Sequence, residues 1–297
     1  MNKALVVFAL LLCPLALHSQ EAASVAMPFS VVPRNVRTLS MGGITSADAA
    51  ACRMSGDKLL DFNFSWYKFA PKGTGSDDLN LDAFVKVSKK IAISAQLGLD
   101  VAPEYLIYNE QGSMRGSFVP TDLSLKIGAA YRIAPKFSAG LDLRYMHSSL
   151  AKDVSYSALA ADAMIAADFG AAKLAGGFTS LGTPVKSVGG YSFSLPAALT
   201  IAGKYALGFD GGHAIDACAQ ADVFFKGGFR AGAGVEYGYK DQLFARAGFS
   251  LGVNSPFPSY FSIGAGAKYY GICFNAAYLL GSAAIGNTVA VGAGLEF

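Results

Sequence analysis

From Leu60 to Phe297 the chain alternates, with apolar residues at every second position and polar or very small residues between them. In the last segment Val289, Val291, Ala293, Leu295 and Phe297 fall on one face, and Ala290, Gly292, Gly294 and Glu296 on the other. A period of two puts successive side chains on opposite faces of a β-strand. Segments of roughly ten residues, apolar outward and polar inward and separated by turn residues, are the pattern of a barrel whose outside meets lipid. The expected fold is all-β, a transmembrane antiparallel β-barrel.

Composition removes the main competitor. The chain is 53% hydrophobic, which would suit helical membrane spans, yet after the N-terminus no stretch approaches the ~18 uncharged apolar residues that such a span needs. Its 34 glycines, 14 tyrosines and 21 phenylalanines suit strands that need room on the inner face and carry aromatic girdles at their ends. No segment after residue 56 has helical periodicity, and a net charge of +3 is too small to argue for a nucleic-acid partner.

Turn residues divide the alternating region into about 14 strands. They are expected near 59–69, 78–88, 91–101, 122–132, 137–148, 154–169 and 173–181, then 194–207, 214–225, 229–239, 242–253, 260–269, 272–280 and 288–297. Connections such as Lys89-Lys90, Ala134 to Lys136, Lys240-Asp241 and Tyr270-Gly271 are tight. Those at Pro103 to Pro120, Thr183 to Tyr191 and Asn254 to Ser259 are longer. In outer-membrane barrels short turns face the periplasm and long loops the exterior.

The phase of the alternation also assigns faces. On the strand from Phe137, the residues Ala139, Leu141, Leu143 and Tyr145 should meet lipid, which leaves Ser138, Gly140, Asp142 and Arg144 for the lumen. By the same rule Asp222, Arg230, Glu236, Arg246, Lys268 and Glu296 point inward. A Lys or Arg on the lipid face near the bilayer midplane would cost about 2 to 4 kcal/mol. Buried charges need partners, so adjacent inward pairs such as Glu236 with Arg246, and Asp142 with Arg144, should pair with each other and with arginines of the N-terminal segment.

Lys3 followed by an apolar run from Ala4 to Leu17, with small residues around Ser19 to Ser24, is the pattern of a secretory signal peptide over residues 1–20. Residues 21–57 then form a segment able to plug the lumen, and residues 58–297 the outer-membrane barrel. With the signal removed, Cys52, Cys218 and Cys273 make no disulfide framework, and no Cys/His cluster suggests a metal. No cofactor is expected.

The segment before the barrel carries the most specific motif, Pro33-Arg34-Asn35-Val36-Arg37-Thr38-Leu39-Ser40-Met41-Gly42-Gly43, running into the small residues Ile44 to Ala51. With Leu195-Pro196-Ala197 and Ile201 to Tyr205, Leu243 to Phe249, and a last hairpin holding Ala276-Ala277-Tyr278 and Gly286-Asn287-Thr288, it resembles the PorV/PorQ-like outer-membrane barrels of Bacteroidetes, relatives of the FadL fatty-acid channels. The family usually follows the Ala-rich segment with Asn-Pro-Ala, where this chain has Cys52 to Gly56. Its Asp-Tyr-Ala-Tyr pattern is replaced here by Asn275-Ala276-Ala277-Tyr278. The aromatic Phe297 resembles the signal that such barrels present to their insertion machinery.

The resemblance implies a FadL-like barrel with its lumen partly filled by an N-terminal plug containing Pro33, Arg34, Arg37, Met41, Gly42 and Gly43. It also implies a non-enzymatic role in binding or anchoring partner proteins, in type IX secretion with its components or secreted cargo. A partner surface would fall on the longest loop, with Tyr105, Tyr108, Met114 and Phe118. The alternative is a FadL-like channel for hydrophobic or amphipathic compounds, which would need a path past the plug and a strand kink facing the lipid. Enzymatic chemistry gets little support: His147 lies beside Ser148 and Ser149, but no nucleophile-elbow pattern accompanies it.

Overall fold

A computed structural model describes residues 25–54, 56, 58–69, 75–187, 190–281 and 285–297. The expected signal peptide, residues 1–20, lies outside them. Fourteen strands close into an antiparallel barrel. In chain order they begin with β1 (Leu60–Phe69), β2 (Ser76–Lys86) and β3 (Ile91–Val101). A small hairpin, β4 (Tyr105–Tyr108) with β5 (Met114–Phe118), stands apart from the wall before β6 (Thr121–Ala134), β7 (Phe137–Ala151), β8 (Val154–Asp168) and β9 (Ala172–Gly182). A second, shorter hairpin, β10 (Val185–Lys186) with β11 (Ser192–Phe193), precedes β12 (Ala198–Phe209) and β13 (His213–Phe224). The wall ends with β14 (Phe229–Tyr239), β15 (Leu243–Val253), β16 (Tyr260–Tyr269), β17 (Ile272–Gly281) and β18 (Asn287–Glu296), which pairs with β1 to close the barrel.

The connections follow the sequence. Lys240 and Asp241, and Tyr270 and Gly271, all have positive φ, the geometry of two-residue turns whose twist matches that of the strands they join. At the turn after β2, the Ser88 hydroxyl accepts from the Lys90 and Ile91 amides. These tight turns share one end of the barrel with Phe297, the periplasmic end in outer-membrane barrels. There the Phe297 carbonyl accepts from the Leu59 and Leu60 amides and its own amide donates to Leu60. Phe297 thus joins the last strand to the first.

Two expectations need correction. β12 starts at Ala198 and not at Ser194, because Pro196 has no amide to give a ladder. The two extra hairpins arise inside stretches expected to be loops. Within and just after the stretch Ile44 to Ala51, a 3-10 turn at Thr45–Asp48 is followed by one α-turn at Ala50–Arg53, too short to be held by anything but the wall around it.

The faces fall as the alternation requires. On β7, Leu141 and Leu143 are each 54% exposed toward the bilayer side, whereas Ser138, Asp142 and Met146 are buried. A ring of exposed apolar side chains, among them Ile127, Leu159, Ile201 and Phe249, covers the outside. The buried volume of the molecule lies within the barrel, between residues 26–54 and the inner wall.

Candidate functional site

The N-terminal segment runs through the lumen and is fastened to the wall by three arginines. Arg34, almost fully buried, donates to Asp78 (3.2 Å), Asn80 (3.1 Å) and Asp100 (3.3 Å), and to the Phe29 carbonyl (3.0 Å). Arg37 meets Glu236 through two N–H groups, at 2.6 and 3.0 Å. Arg53 holds Asp82 (2.7 Å) and Asp61 (2.9 Å). The strand register explains why the wall needs them. Asp78 lies opposite Asp100, and Asp100 opposite Asp122, so three carboxylates stand side by side on β2, β3 and β6. Like charges in such cross-strand positions repel, and Arg34 is set against two of the three.

Other inward charges pair across the strands. Glu236 accepts from Arg246 at 2.5 Å, and Arg246 also donates to Asn275 at 2.7 Å. Asp222 accepts from Arg230 and from Thr200, each at 2.7 Å, and Arg230 reaches the Val31 carbonyl and Thr45 of the segment. Lys268 lies near the short-turn rim, with Asp241 at 3.1 Å and Glu296 at 3.4 Å. The expected pairing of Asp142 with Arg144 is not formed. Asp142 stands 3.7 Å from Lys126, while Arg144 crosses to Asp162 and to the Ser30 carbonyl, both at 2.7 Å. In the register Lys126 lies opposite Arg144 and Asp162 opposite Asp142, so both ion pairs run along diagonals, which long side chains can span.

The Met-Gly-Gly motif has a steric basis. Met41 and Gly42 lie backbone-to-backbone on a strip of wall made of Gly232, Gly234 and Gly248, where a Cβ on any of the three would collide with the main chain of Met41 or Gly42. Gly42 and Gly43 both have positive φ, a conformation that favours glycine, and a Cβ at Gly42 would stand 2.5 Å from the carbonyls of Ala233 and Phe249. Tyr260 closes the turn by donating to the Leu39 carbonyl, and Pro33 lies against Gly43. The glycines on the inner face of β14 and β15 therefore form a seat.

The expected partner loop is the β4–β5 hairpin. Tyr105, Tyr108 and Met114 are exposed and Phe118 is half-buried. The rings of Tyr105 and Phe118 are 5.7 Å apart, and the Tyr105 hydroxyl donates to Leu150. His147 bonds Ser157, not Ser148 or Ser149. Among the described residues no group of His, Cys, Asp or Glu is arranged to hold a metal.

Two features were not anticipated from the sequence. One is the Arg53 contact with Asp61 and Asp82, which the same face rule applied to β1 and β2 would have exposed. The other is a break in the wall. β9 pairs with β12 only from Ala172 to Thr179. Beyond that point β9 follows β8 alone, with Thr179 and Ser180 together opposing Asp162. Ser180 has φ 54°, and its amide donates to the Asp162 carboxylate at 2.6 Å. On the luminal side of this bulge Met27 and Phe29 pack with Met146, Ala158, Ala160, Val185 and Leu195 in an apolar cluster. The Ala26 amide donates to Ser194. The sequence signal was the pair Gly176-Gly177 with Ser180 before Gly182, since glycine in a strand often marks a bulge.

No protein-family model and no curated protein matches the chain. Solved structures do. The toluene transporter TbuX of Ralstonia pickettii matches with a TM-score of 0.64 at 10% identity, over 91% of this chain and 100% of that one. The toluene transporter TodX of Pseudomonas putida matches with a TM-score of 0.58 at 13% identity, over 90% and 99%. The fold is thus shared with these two toluene transporters.

Proposed function

We propose that this protein is a FadL-like channel that passes hydrophobic or amphipathic compounds and releases them sideways through the wall between β9 and β12. The carrying observation is the bulge at Ser180. It ends the β9–β12 ladder at Thr179 and Ala198, and Pro196 has no amide with which to extend it. The gap opens between apolar surfaces: Phe178, Leu181 and Ile201 are exposed outside, and the Met27–Phe29 cluster lies within. A Cβ at Gly182 would strike Leu195 and Ala160, so this side chain of the cluster lies directly behind the bulge. Met27 and Phe29 fill an apolar chamber that a substrate would enter by displacing them. The two toluene transporters with this fold support the choice of channel over anchor.

Deleting Ser180 removes the extra residue and lets β9 extend its pairing with β12. Cells carrying the protein should take up toluene or dodecanol faster than cells carrying an empty vector, and the deletion should cut that gain at least tenfold while the barrel still shifts on heating in gel electrophoresis. Unchanged uptake in the deletion sinks the lateral route. No gain from the intact protein sinks the channel.

A second reading rests on the β4–β5 hairpin. It would be a PorV/PorQ-type surface that binds type IX secretion components or secreted cargo through Tyr105, Tyr108 and Met114, exposed aromatic and methionine side chains being favoured at interfaces. Pull-down from native membranes in mild detergent would recover such proteins, and Tyr108→Ser with Met114→Ser would lose them.

A further inference from the structure

One carboxylate holds the bulge at Ser180 from within the wall. The Ser180 amide donates to Oδ1 of Asp162 at 2.6 Å, so this donor is not spent on a neighbouring strand. Ser180 is buried and has positive φ, a conformation that residues other than glycine rarely hold, and a buried amide needs an acceptor. The other oxygen of Asp162 accepts from Nη2 of Arg144 at 2.7 Å, and Nη1 of the same guanidinium donates to the Ser30 carbonyl at 2.7 Å. Among the described residues the Nε of Arg144 has no partner. Arg144 is therefore fixed by one partner in the wall and one in the N-terminal segment.

Ser30 belongs to the 3-10 turn Pro28–Val31, whose Phe29 stands in the apolar cluster behind the bulge. The turn is braced as a unit, with the Ser30 amide donating to the Met27 carbonyl at 3.0 Å and the Val32 amide to the Phe29 carbonyl at 3.3 Å. Displacing Phe29 therefore carries the Ser30 carbonyl away from Arg144. Ser30, Arg144, Thr179 and Ser180 all border one polar cavity of about 60 Å³, so the links adjoin space in which they can rearrange. Charge-assisted bonds to a carboxylate are strong, and the planar fork of arginine sets two partners at a fixed angle, which the single ammonium of lysine does not.

We propose that Asp162 and Arg144 are positioning residues that join the opening between β9 and β12 to the seating of the N-terminal turn. With the turn seated, Arg144 holds Asp162, and Asp162 holds the Ser180 amide. A solute that displaces Phe29 releases Arg144 and loosens the bulge. Coupling of this kind is reciprocal, so loosening the bulge must also loosen the turn. The purpose of the coupling rests on the lateral-channel reading, but its presence is a property of the folded chain whether or not anything is transported.

Hydrogen exchange of the full-length protein in neutral detergent, read by mass spectrometry, tests it, because exchange reports local opening segment by segment. Phe29→Ala should speed exchange over residues 178–182 at least tenfold and leave β15 at the native rate. Asp162→Asn, which turns an N–H toward either Arg144 or Ser180, should speed exchange over residues 26–32 as well as at the bulge; a merely structural role would move the bulge alone. In an Arg144→Lys background, which keeps the charge, Phe29→Ala should add less than twofold at the bulge, since the path between them is already cut. Where Phe29→Ala fails to fold, Arg144→Lys alone should speed both regions. Native exchange at the bulge in Phe29→Ala, or native exchange over residues 26–32 in Asp162→Asn, overturns the coupling. Absence of toluene uptake by the intact protein sinks the channel alone, and the exchange rates still decide the coupling.

Discussion

Arg34 shows how much one residue can hold. It is buried against Asp78 and Asp100, with Asp122 next in the register, and removing one partner of a buried pair costs about 3 to 5 kcal/mol because the other charge remains. Arg34→Gln should therefore loosen the N-terminal segment while leaving the strand ladders intact. Trypsin cleavage after Arg37 should become faster in the folded barrel, and cleavage at the native rate would show that Arg34 is not the anchor. Asp48 gives the segment a pH dependence. Burial first, and Asp82 next, push its carboxyl from 3.8 up to about 7, against the pull of Arg53 and the Thr38 hydrogen bond. The folded protein then keeps a proton that the unfolded chain releases, so this contribution to stability is full below about pH 4 and falls as pH rises through 7. Asp48→Asn should flatten the change in melting temperature between pH 5 and pH 8, and an unchanged slope would refute it.

At the scale of the element, the glycine seat and the bulge both depend on backbone that side chains would block. Gly248 lies under Met41 and Gly42, so Gly248→Leu should expel the Met41 turn. Its outward neighbours Phe249 and Ala247 would still pair with β14 and β16. The expected result is a barrel that assembles normally but whose segment is cut by trypsin several-fold faster; an uncut segment would mean that the turn seats elsewhere. The inner-face glycines could be placed from the alternation. Their purpose could not be placed, because the chain that rests on them lies about 200 residues away.

The whole molecule closes where its two ends meet. β18 pairs with β1 from Glu296 opposite Asp61 to Val289 opposite Lys68, and Phe297 adds main-chain bonds to Leu59 and Leu60. Deleting Phe297 should lower the fraction of protein assembled in the outer membrane, read as loss of the heat-modifiable form, and should leave the stability of assembled barrels little changed. Equal assembly would remove the insertion role assigned to this residue. Strand number, strand ends to within a few residues, and the face of each inward charge follow from the sequence, because a period of two is a local property that lipid outside and water or protein inside both enforce. Which charges pair, that Asp142 turns to Lys126 and Arg144 to Asp162, that Ser180 breaks the wall, and that Met27 and Phe29 stand behind the break were decided only by the tertiary structure. These depend on register between strands and on the path of the N-terminal segment through the lumen, distances that alternation along a single strand does not encode.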